Sequence, residues 1–261
     1  MMDLENDPHW ALLAAPGPFP HQSDCIPVTD IKSIFACAES GIQPIGLVIS
    51  KPLLRNARLR RIWHDRWREL PTRRLSPARY RQAVAQQPAR GLALLAARPR
   101  PGWDLLATAG GNWLGLRHLR SPGNLGTLIR SAHALGMHGI VLFGRSLDPF
   151  QQAVQRASMG AVWRLPLVHT SHAACADWLR RHRHWQVLAA NDDGRLTPEQ
   201  VDWRGPSIVL LGHERHGLHD ADRQLATSTL RIPQVADADS LNVAMAGTVI
   251  AAWAGRQRIG Q

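Results

Sequence analysis

The chain has 261 residues, a hydrophobic content of 44% and a formal net charge of +11 at neutral pH. This length predicts about two domains, and the composition is that of a globular protein. The longest apolar run, near residues 243–254, is shorter than the roughly 20 residues of a membrane-spanning helix. The acidic start is unlike a secretory signal, and the three cysteines form no C-x-x-C pair, so we expect a cytoplasmic protein with reduced thiols.

The first part of the chain predicts a flexible arm and then a small α/β domain. Residues 1–20 are rich in proline and glycine, which favours a flexible arm. Within residues 21–98, helical and strand-like patterns alternate. Helices are predicted at 28–40, 53–67 and 75–81, and strands at 46–50 and 91–96. Residues 99–112, which begin P-R-P-G, predict a linker because proline cannot continue a strand.

The positive charge is concentrated in the first domain. Residues 51–100 hold thirteen arginines and one lysine against two acidic residues, so the rest of the chain is nearly neutral. A solvated helix face is one explanation, but this concentration of arginine favours RNA binding. A membrane surface is disfavoured because no matching apolar helix face accompanies the charge. The candidate RNA contacts are Arg55, Arg58 and Arg61. The candidates for base stacking are Trp63 and Trp67.

Residues 113–261 predict a second domain with a mostly parallel sheet covered by helices on both faces. Strands are predicted at 113–119, 139–143, 186–190 and 207–211, an extended segment at 160–168, and helices at 125–135, 150–157 and 171–183. Ligands bind beyond the carboxyl ends of such strands. The loops at 191–194, 212–217 and 233–239 are therefore the candidate ligand loops.

The final segment predicts a capped and buried helix. Ser240 precedes a run of helix formers and can accept hydrogen bonds from the first free N–H groups. No charge lies between Asp239 and Arg256, which predicts burial on most sides. One apolar face is predicted at helical spacing: Leu241, Ala244, Met245, Thr248, Val249 and Ala252.

Three stretches, taken together and in this order, resemble the motifs of the SpoU (TrmH) branch of the SPOUT methyltransferases. They are S-P-G-N-L-G-T-L-I-R at 121–130, I-V-L-L-G-H-E-R-H-G at 208–217 and P-Q-V-A-D-A-D-S-L-N-V at 233–243. An ordered triple is far more specific than any one motif. That family transfers a methyl group from S-adenosylmethionine to a ribose 2′-hydroxyl in tRNA or rRNA. The resemblance implies a deep trefoil knot, a homodimer and a first domain similar to ribosomal protein L30e.

The resemblance also implies roles for individual residues. Arg130 becomes the central catalytic residue, with Asn124 its partner in substrate positioning. Because a guanidinium rarely loses a proton, we interpret Arg130 as an electrostatic clamp on phosphate and ribose rather than as a base. Glu214 would keep the site rigid, while Ser240 and Asn242 would cap the last helix and face the cofactor and ribose.

Further positions follow from the same resemblance. Arg156, within Q-R-A-S-M-G-A, matches a secondary pattern and is a candidate RNA contact. Ser121 and Trp253 depart from the Asp and Glu that the family often has. Six residues would line the cofactor site through their backbone or apolar side chains: Ala190, Leu211, Gly212, Gly217, Ile232 and Leu241.

A metal site is the alternative explanation for His213, His216 and His219, which lie three residues apart. Their place in a loop with no cysteine nearby argues against zinc, so we predict no metal.

The sequence thus predicts an S-adenosylmethionine-dependent RNA ribose 2′-O-methyltransferase. Ribosomal RNA is favoured over tRNA, because the separate basic domain resembles those of rRNA-modifying and antibiotic-resistance members. A non-catalytic RNA-binding or ribosome-assembly protein that keeps the fold is the alternative. The intact motif residues argue against that alternative.

Overall fold

The computed structural model of the protein describes residues 24–42, 44–51, 56–84, 91–213, 216–235, 237 and 239–259. The described residues up to Pro99, together with Phe150–Arg164, pack as one unit, and Arg100–Pro149 with the described residues from Leu165 onward form a second. The predicted arm at 1–20 lies outside the described residues. No helix in the described part of the chain is long and apolar enough to cross a membrane.

The first unit contains a four-stranded sheet and three helices from the N-terminal part of the chain. The strands are β1 Cys25–Val28, β2 Pro44–Ile49, β3 Thr72–Arg74 and β4 Leu92–Ala97, in the order β1-β4-β2-β3. Strand β4 is antiparallel to both neighbours, and β2 is parallel to β3. The helices are α1 Ile31–Glu39, α2 Ala57–Ile62 and α3 Pro77–Val84, and a π-helical turn at Trp63–Trp67 continues α2. The predicted similarity to ribosomal protein L30e stays a prediction.

The second unit contains a six-stranded sheet in which every neighbouring pair is parallel. The strands are β5 Asn112–Arg117, β6 Gly139–Phe143, β7 Leu167–Thr170, β8 Gln186–Ala190, β9 Ser207–Leu211 and β10 Ser228–Leu230. The remaining helices of the chain are α4 Trp103–Ala109, α5 Pro122–Ala134, α6 Gln152–Ala157, α7 His172–Arg181, α8 Asp220–Arg223 and α9 Val243–Ile259. The predicted α/β class with a parallel sheet is confirmed, and β6, β8 and β9 have the predicted bounds.

The strand order is β10-β8-β9-β5-β6-β7. After β5 the chain adds β6 and β7 on one side of it, and β8, β9 and β10 then form the other side of the sheet. Strands β5 and β9 are neighbours, with Leu116 opposite Leu211. Their carboxyl ends therefore meet where the strand order reverses, which is where ligands bind in open parallel sheets. The predicted trefoil knot stays a prediction.

The segment at 150–164 packs with the first unit although it follows β6 in sequence. Gln155 on α6 donates a hydrogen bond from Nε2 to the carbonyl oxygen of Pro27 at 3.0 Å. Gly160 has a φ of 89° and lies so close to α1 that a Cβ would come within 2.8 Å of the Lys32 carbonyl oxygen. The predicted extended segment at 160–168 is wrong in its first half, because this left-handed residue leads into a 3₁₀ turn at Ala161–Trp163.

A helix occupies the stretch at 99–112 that we predicted as a linker. Helix α4 buries Leu106 completely in the apolar core on one face of the six-stranded sheet. Trp103 stacks on Trp178 of α7, with ring centroids 5.1 Å apart. The second unit therefore includes this stretch from Arg100 onward.

The last helix, α9, buries a face that overlaps the predicted one only in part. Ala244 on the predicted face is buried, but Met245 on the same face is 48% exposed, and Ile250, Ala251 and Ala254 are buried outside it. The expectation of burial on most sides is wrong for that face. Two glycines allow α9 to approach α5 closely. A Cβ on Gly247 would lie 2.3 Å from a terminal methyl of Leu128, and a Cβ on Gly255 would lie 1.9 Å from the Leu135 carbonyl oxygen.

Replacing Gly255 by alanine is expected to lower the free energy of unfolding by on the order of 2 kcal/mol, because the opposing atom is backbone and cannot rotate away. Gly247→Ala should cost less, since the flexible end of Leu128 can move. Gly123→Ala is the control, because its nearest neighbour would lie at 3.8 Å. Urea unfolding followed by circular dichroism gives the three values. Equal stability of Gly255→Ala and the unchanged protein would contradict the described α5–α9 contact.

Candidate active site

A cavity of about 640 Å³ lies beyond the carboxyl ends of β8, β9 and β10; we name it the loop cavity. All six residues predicted to contact the cofactor line it, together with Ser240. Asn191, Asp192 and Asp193, which follow β8, also contribute to its wall. The structure thus brings together residues that are separated by up to 51 positions in the sequence, from Ala190 to Leu241.

The loop at 212–217 closes on its own backbone. His213 donates a backbone hydrogen bond to Gly217 at 3.0 Å and accepts one from it at 2.9 Å. A Cβ on Gly212 would lie 2.0 Å from the carbonyl carbon of Gly217, so only glycine fits there. Gly217 has a φ of 60°, a left-handed conformation that glycine adopts without strain. These glycines let the loop fold tightly, which fixes the shape of the cavity wall.

The loop cavity has a polar wall and an apolar wall. On the polar side, the Asn191 side-chain Oδ1 is buried and accepts no hydrogen bond from the described residues. Its backbone N–H is used, since it donates to the Leu230 carbonyl oxygen at 3.0 Å. On the apolar side lie Ile232, Leu241 and Val243. The cavity therefore fits a ligand with hydrogen-bond donors on one side and an apolar surface on the other.

Helix α9 is capped by Asn242 rather than by Ser240. The Asn242 side-chain oxygen accepts a hydrogen bond from the Ala244 N–H at 2.8 Å. The prediction that Ser240 caps this helix is wrong, because α9 begins at Val243 and Ser240 lies too far before its first turn. The Asn242 Nδ2 donates to the Asn124 Oδ1 at 3.3 Å, which joins the first and third motifs. Ser121 caps α5 by accepting from the Asn124 N–H at 3.3 Å, so this departure from the family pattern still supplies a cap.

A second cavity of about 630 Å³ lies where β5 and β9 end; we name it the histidine pocket. It is lined by His118, Arg120, Ser121, Asn124, His213, His216 and His219. His213 and His216 line the loop cavity as well, so the two cavities adjoin at these residues. The His213 and His216 rings stack with centroids 5.1 Å apart. Sequence reasoning missed His118 and Arg120; the signal available was their place directly after β5, at the ligand-binding edge of the sheet.

His118 is held in an unusual conformation on the wall of the histidine pocket. Its φ is 52°, a left-handed value that is uncommon outside glycine. Its ring lies against Gly144, where a Cβ would come within 2.2 Å of the ring Cδ2. Burial lowers the pKa of His118, and the charges of Arg117, His219, Arg120 and His213 lower it further. The free protein therefore favours the neutral imidazole.

A fully buried carboxylate, Asp222, ties the surrounding elements together. It forms an ion pair with Arg117 at the end of β5 and accepts a 2.8 Å hydrogen bond from the His172 Nε2 at the start of α7. It also accepts from the His219 N–H at 3.1 Å. Burial and then the Arg117 charge lower the pKa of His172, so a neutral ring makes this bond. One carboxylate thus fixes β5, α7 and the end of the 212–219 loop.

The structure does not bring Arg130 into either cavity. Arg130 is exposed on α5, six residues beyond Asn124, which is about 9 Å along a helix at 1.5 Å per residue. Arg156 is exposed on α6, in the other unit. Glu214 and Arg55 lie outside the described residues.

Arg58 and Arg61 lie in the first unit, where they line a cavity of about 670 Å³ beside α2. The Arg58 guanidinium stacks over the Phe35 ring at 4.0 Å and contacts Glu39 at 3.4 Å. Trp63 lines the same cavity. Trp67 is only 2% exposed, so the prediction that it stacks on bases is wrong.

The parallel sheet with cavities beyond the carboxyl ends of its strands defines an α/β protein with a ligand-binding edge, and comparison with known proteins identifies its family. The sequence model of the SpoU rRNA Methylase family matches residues 112–252. This match covers more than half of the chain, so the chain belongs to that family.

Individual relatives agree with this membership. The chain is 39% identical over 144 residues to the 23S rRNA (uridine(2479)-2′-O)-methyltransferase of Streptomyces viridochromogenes. The aligned region covers 53% of this chain and 50% of the relative. The chain spans about half the length of the curated relatives it matches. The SpoU methyltransferase AviRb from the same organism, solved with its cofactor AdoMet, has a TM-score of 0.83 and 25% identity over 97% of this chain and 98% of that one. The AdoMet-bound rRNA methyltransferase of Sinorhizobium meliloti has a TM-score of 0.76 and 25% identity, and the match covers 90% of this chain and 88% of that one.

The stability of the protein is expected to fall on acidification, because the pKa values of His118 and His172 are both lowered from 6.5. The fold favours their neutral forms, so this contribution is complete above pH 6.5 and is lost as the pH falls through the lowered values. Asparagine tolerates left-handed backbone, so His118→Asn should weaken the pH dependence of urea unfolding between about pH 7 and 5. If the free energy of unfolding depended on pH in the same way for the variant and the unchanged protein, this would argue against the lowered pKa of His118.

Proposed function

We propose that the protein transfers a methyl group from S-adenosylmethionine to a ribose 2′-hydroxyl of RNA, with ribosomal RNA as the expected substrate. The observation that carries this proposal is the junction of the loop cavity and the histidine pocket at His213 and His216. A ligand in one cavity lies beside a ligand in the other. Methyl transfer requires this arrangement, because donor and acceptor must be held in line at contact distance.

The loop cavity suits S-adenosylmethionine. The buried and unpartnered Asn191 Oδ1 can accept a hydrogen bond from an amino group, and Asp192 and Asp193 favour a cationic ligand. Ile232 and Leu241 can enclose an adenine ring between apolar walls. The AdoMet held by the AviRb structure supports this assignment. When bound, the cofactor supplies a methyl group on a sulfonium, whose departure needs no acid.

The acceptor ribose is expected at the border of the histidine pocket, beside Asn124. Asn242 holds the Asn124 side chain at 3.3 Å and is flanked in sequence by Leu241 and Val243, which line the loop cavity. This chain's own contribution is therefore to orient the hydroxyl toward the methyl group. The hydroxyl proton is released to solvent, while the cationic Arg130 stabilises the oxygen as negative charge develops on it.

The expected homodimer explains why Arg130 lies outside both cavities of its own chain. Part of the predicted apolar face of α9 is left open, with Met245 48% exposed. Val235, in the preceding loop, is 72% exposed. A two-fold dimer that buries these side chains would bring the α5 helix of one protomer toward the cavities of its partner. Arg130 would then complete the site of the other protomer.

The first unit is expected to bind RNA through the helix that carries Arg58, Arg60 and Arg61. These side chains surround one cavity with Trp63 and His64. Ribosomal RNA is the expected partner because the Streptomyces relative named above acts on 23S rRNA. Transfer RNA and a non-catalytic RNA-binding role are the alternatives that experiment must separate.

The purified protein is expected to transfer label from radioactive S-adenosylmethionine to unmodified ribosomal RNA and not to a tRNA pool. Arg130→Ala should slow single-turnover transfer by on the order of 10²–10⁴, because a positioned charge acts mainly in the transition state. Cofactor affinity, measured by calorimetry, should change little. Tight RNA binding with no transfer to either pool would favour the non-catalytic alternative, and label in tRNA alone would overturn the choice of substrate.

Mixed dimers test whether the site is shared. Arg130→Ala and Asn242→Ala should each be inactive alone. If the site combines Arg130 of one protomer with Asn242 of the other, random mixing should restore about a quarter of the unchanged activity, since half of the dimers regain one site. Refolding each variant with itself is the control. No recovery on mixing would show that Arg130 serves its own chain.

The double variant Arg58→Ala/Arg61→Ala should weaken RNA binding and lower the salt slope by about one unit for each lost phosphate contact. The matched control is Arg180→Ala/Arg183→Ala, which removes the same charge from an exposed part of the second unit. Filter binding at several salt concentrations gives the slopes. Equal salt slopes of RNA binding for the two double variants would show that the α2 arginines are ordinary solvated side chains.

A further inference from the structure

We propose that the histidine pocket binds a phosphate group of the RNA strand next to the methylated ribose, and that the His118 imidazole takes up a proton when the phosphate enters. This inference rests on the proposed function, because it places an RNA strand at the junction of the two cavities. It adds a ligand group and a pH dependence that neither the family motifs nor the relatives' names assign.

The chemistry of the pocket lining favours an anion. Four imidazoles and the Arg120 guanidinium face the pocket, and its described lining residues include no carboxylate. The nearest buried carboxylate, Asp222, is already engaged with Arg117, His172 and the His219 N–H. A phosphate oxygen would therefore meet donors from two sides of the sheet edge, with the end of β5 supplying His118 and Arg120 and the 213–219 loop supplying the others.

A metal ion is a poorer occupant of this pocket. The stacked His213 and His216 rings have centroids 5.1 Å apart, and the His118 and His219 rings are 6.3 Å apart. The described residues include no group of three His, Cys, Asp or Glu side chains placed to hold a metal. Separated and partly stacked rings suit an ion the size of phosphate, which accepts hydrogen bonds from several donors at once.

The strained backbone of His118 is a second sign of a built site. A left-handed, non-glycine residue persists only where its surroundings hold it, and such residues cluster at functional sites. Here the close contact with Gly144 and the pairing of β5 with β6 fix both the backbone and the ring. The ring is thus pre-positioned on the pocket wall before any ligand arrives.

Electrostatics link the phosphate to protons. Arg117 and Arg120 from the end of β5 and His213 and His219 from the loop after β9 all lower the pKa of His118. Positive charge on any of these groups opposes a proton on His118 in the free protein. A phosphate anion among them reverses the balance and raises the pKa of His118, so a proton binds together with RNA. RNA affinity must then increase as the pH falls through the neutral range.

The test compares binding of an unmodified 23S rRNA transcript at constant ionic strength between about pH 8 and 6. The unchanged protein should bind on the order of tenfold more tightly at the lower pH, the effect of about one proton taken up over one pH unit. His118→Asn/His216→Gln should bind more weakly and lose most of this pH dependence. His184→Gln is the matched control, because His184 is exposed near the start of β8, at the opposite end of the strand.

A second measurement separates this inference from the proposed function. Histidine side-chain NMR of the free protein should show a higher pKa for His118 in inorganic phosphate than in chloride of equal ionic strength, whether or not any RNA is methylated. The single variant His216→Gln removes an exposed ring and keeps the measurement possible if the double variant does not fold. An unchanged pKa of His118 in phosphate, or the same pH dependence of rRNA binding in the folded histidine variants, would overturn the proposal.

Discussion

The candidate site depends on one backbone contact, the closure of the 212–217 loop onto itself between His213 and Gly217. His213, which this pair of hydrogen bonds holds in place, lines both the loop cavity and the histidine pocket. Because a Cβ on Gly212 would overlap the Gly217 backbone, this closure requires glycine at that position. The closure thus positions His213 where the two cavities adjoin.

Asp222 extends this constraint from the loop to the sheet. Its carboxylate is fully buried, and it would be costly there without the Arg117, His172 and His219 partners that satisfy both oxygens. Removing Arg117 would leave a buried charge uncompensated, and removing either of the other two donors would leave a carboxylate oxygen short of a hydrogen bond, so the end of β5 and the end of the loop are held in one arrangement. Asp222 does not line the histidine pocket, but it holds in place the elements that carry the lining residues.

Much of this architecture could be predicted from the sequence, and the failures have physical causes. Strands β6, β8 and β9 are short apolar runs buried on both faces, which makes their bounds visible. The loop residues from Ala190 to Leu241 were found through ordered motifs. His118 was missed because a lone histidine after a strand carries no periodic signal. The buried face of α9 was misassigned because nearly every residue of that helix is apolar or small, so periodicity cannot distinguish the face against α5 from the face left open.

The open face of α9 and the isolated position of Arg130 each favour the proposed homodimer, and they do so independently. The exposed Met245 is a packing argument, since exposed apolar surface of this kind marks an interface. The exposure of Arg130, six residues along α5 from Asn124, is a chemical argument, since a charge that stabilises a reacting oxygen must reach it. The proposed homodimer would answer both, because a second copy that covers α9 would place a second α5 near the cavities. In the proposed complex with RNA, the basic groups of the chain have two separate roles. The arginines of α2 would attract the RNA backbone at any neutral pH, while His118 in the histidine pocket would favour RNA binding to a degree that depends on pH.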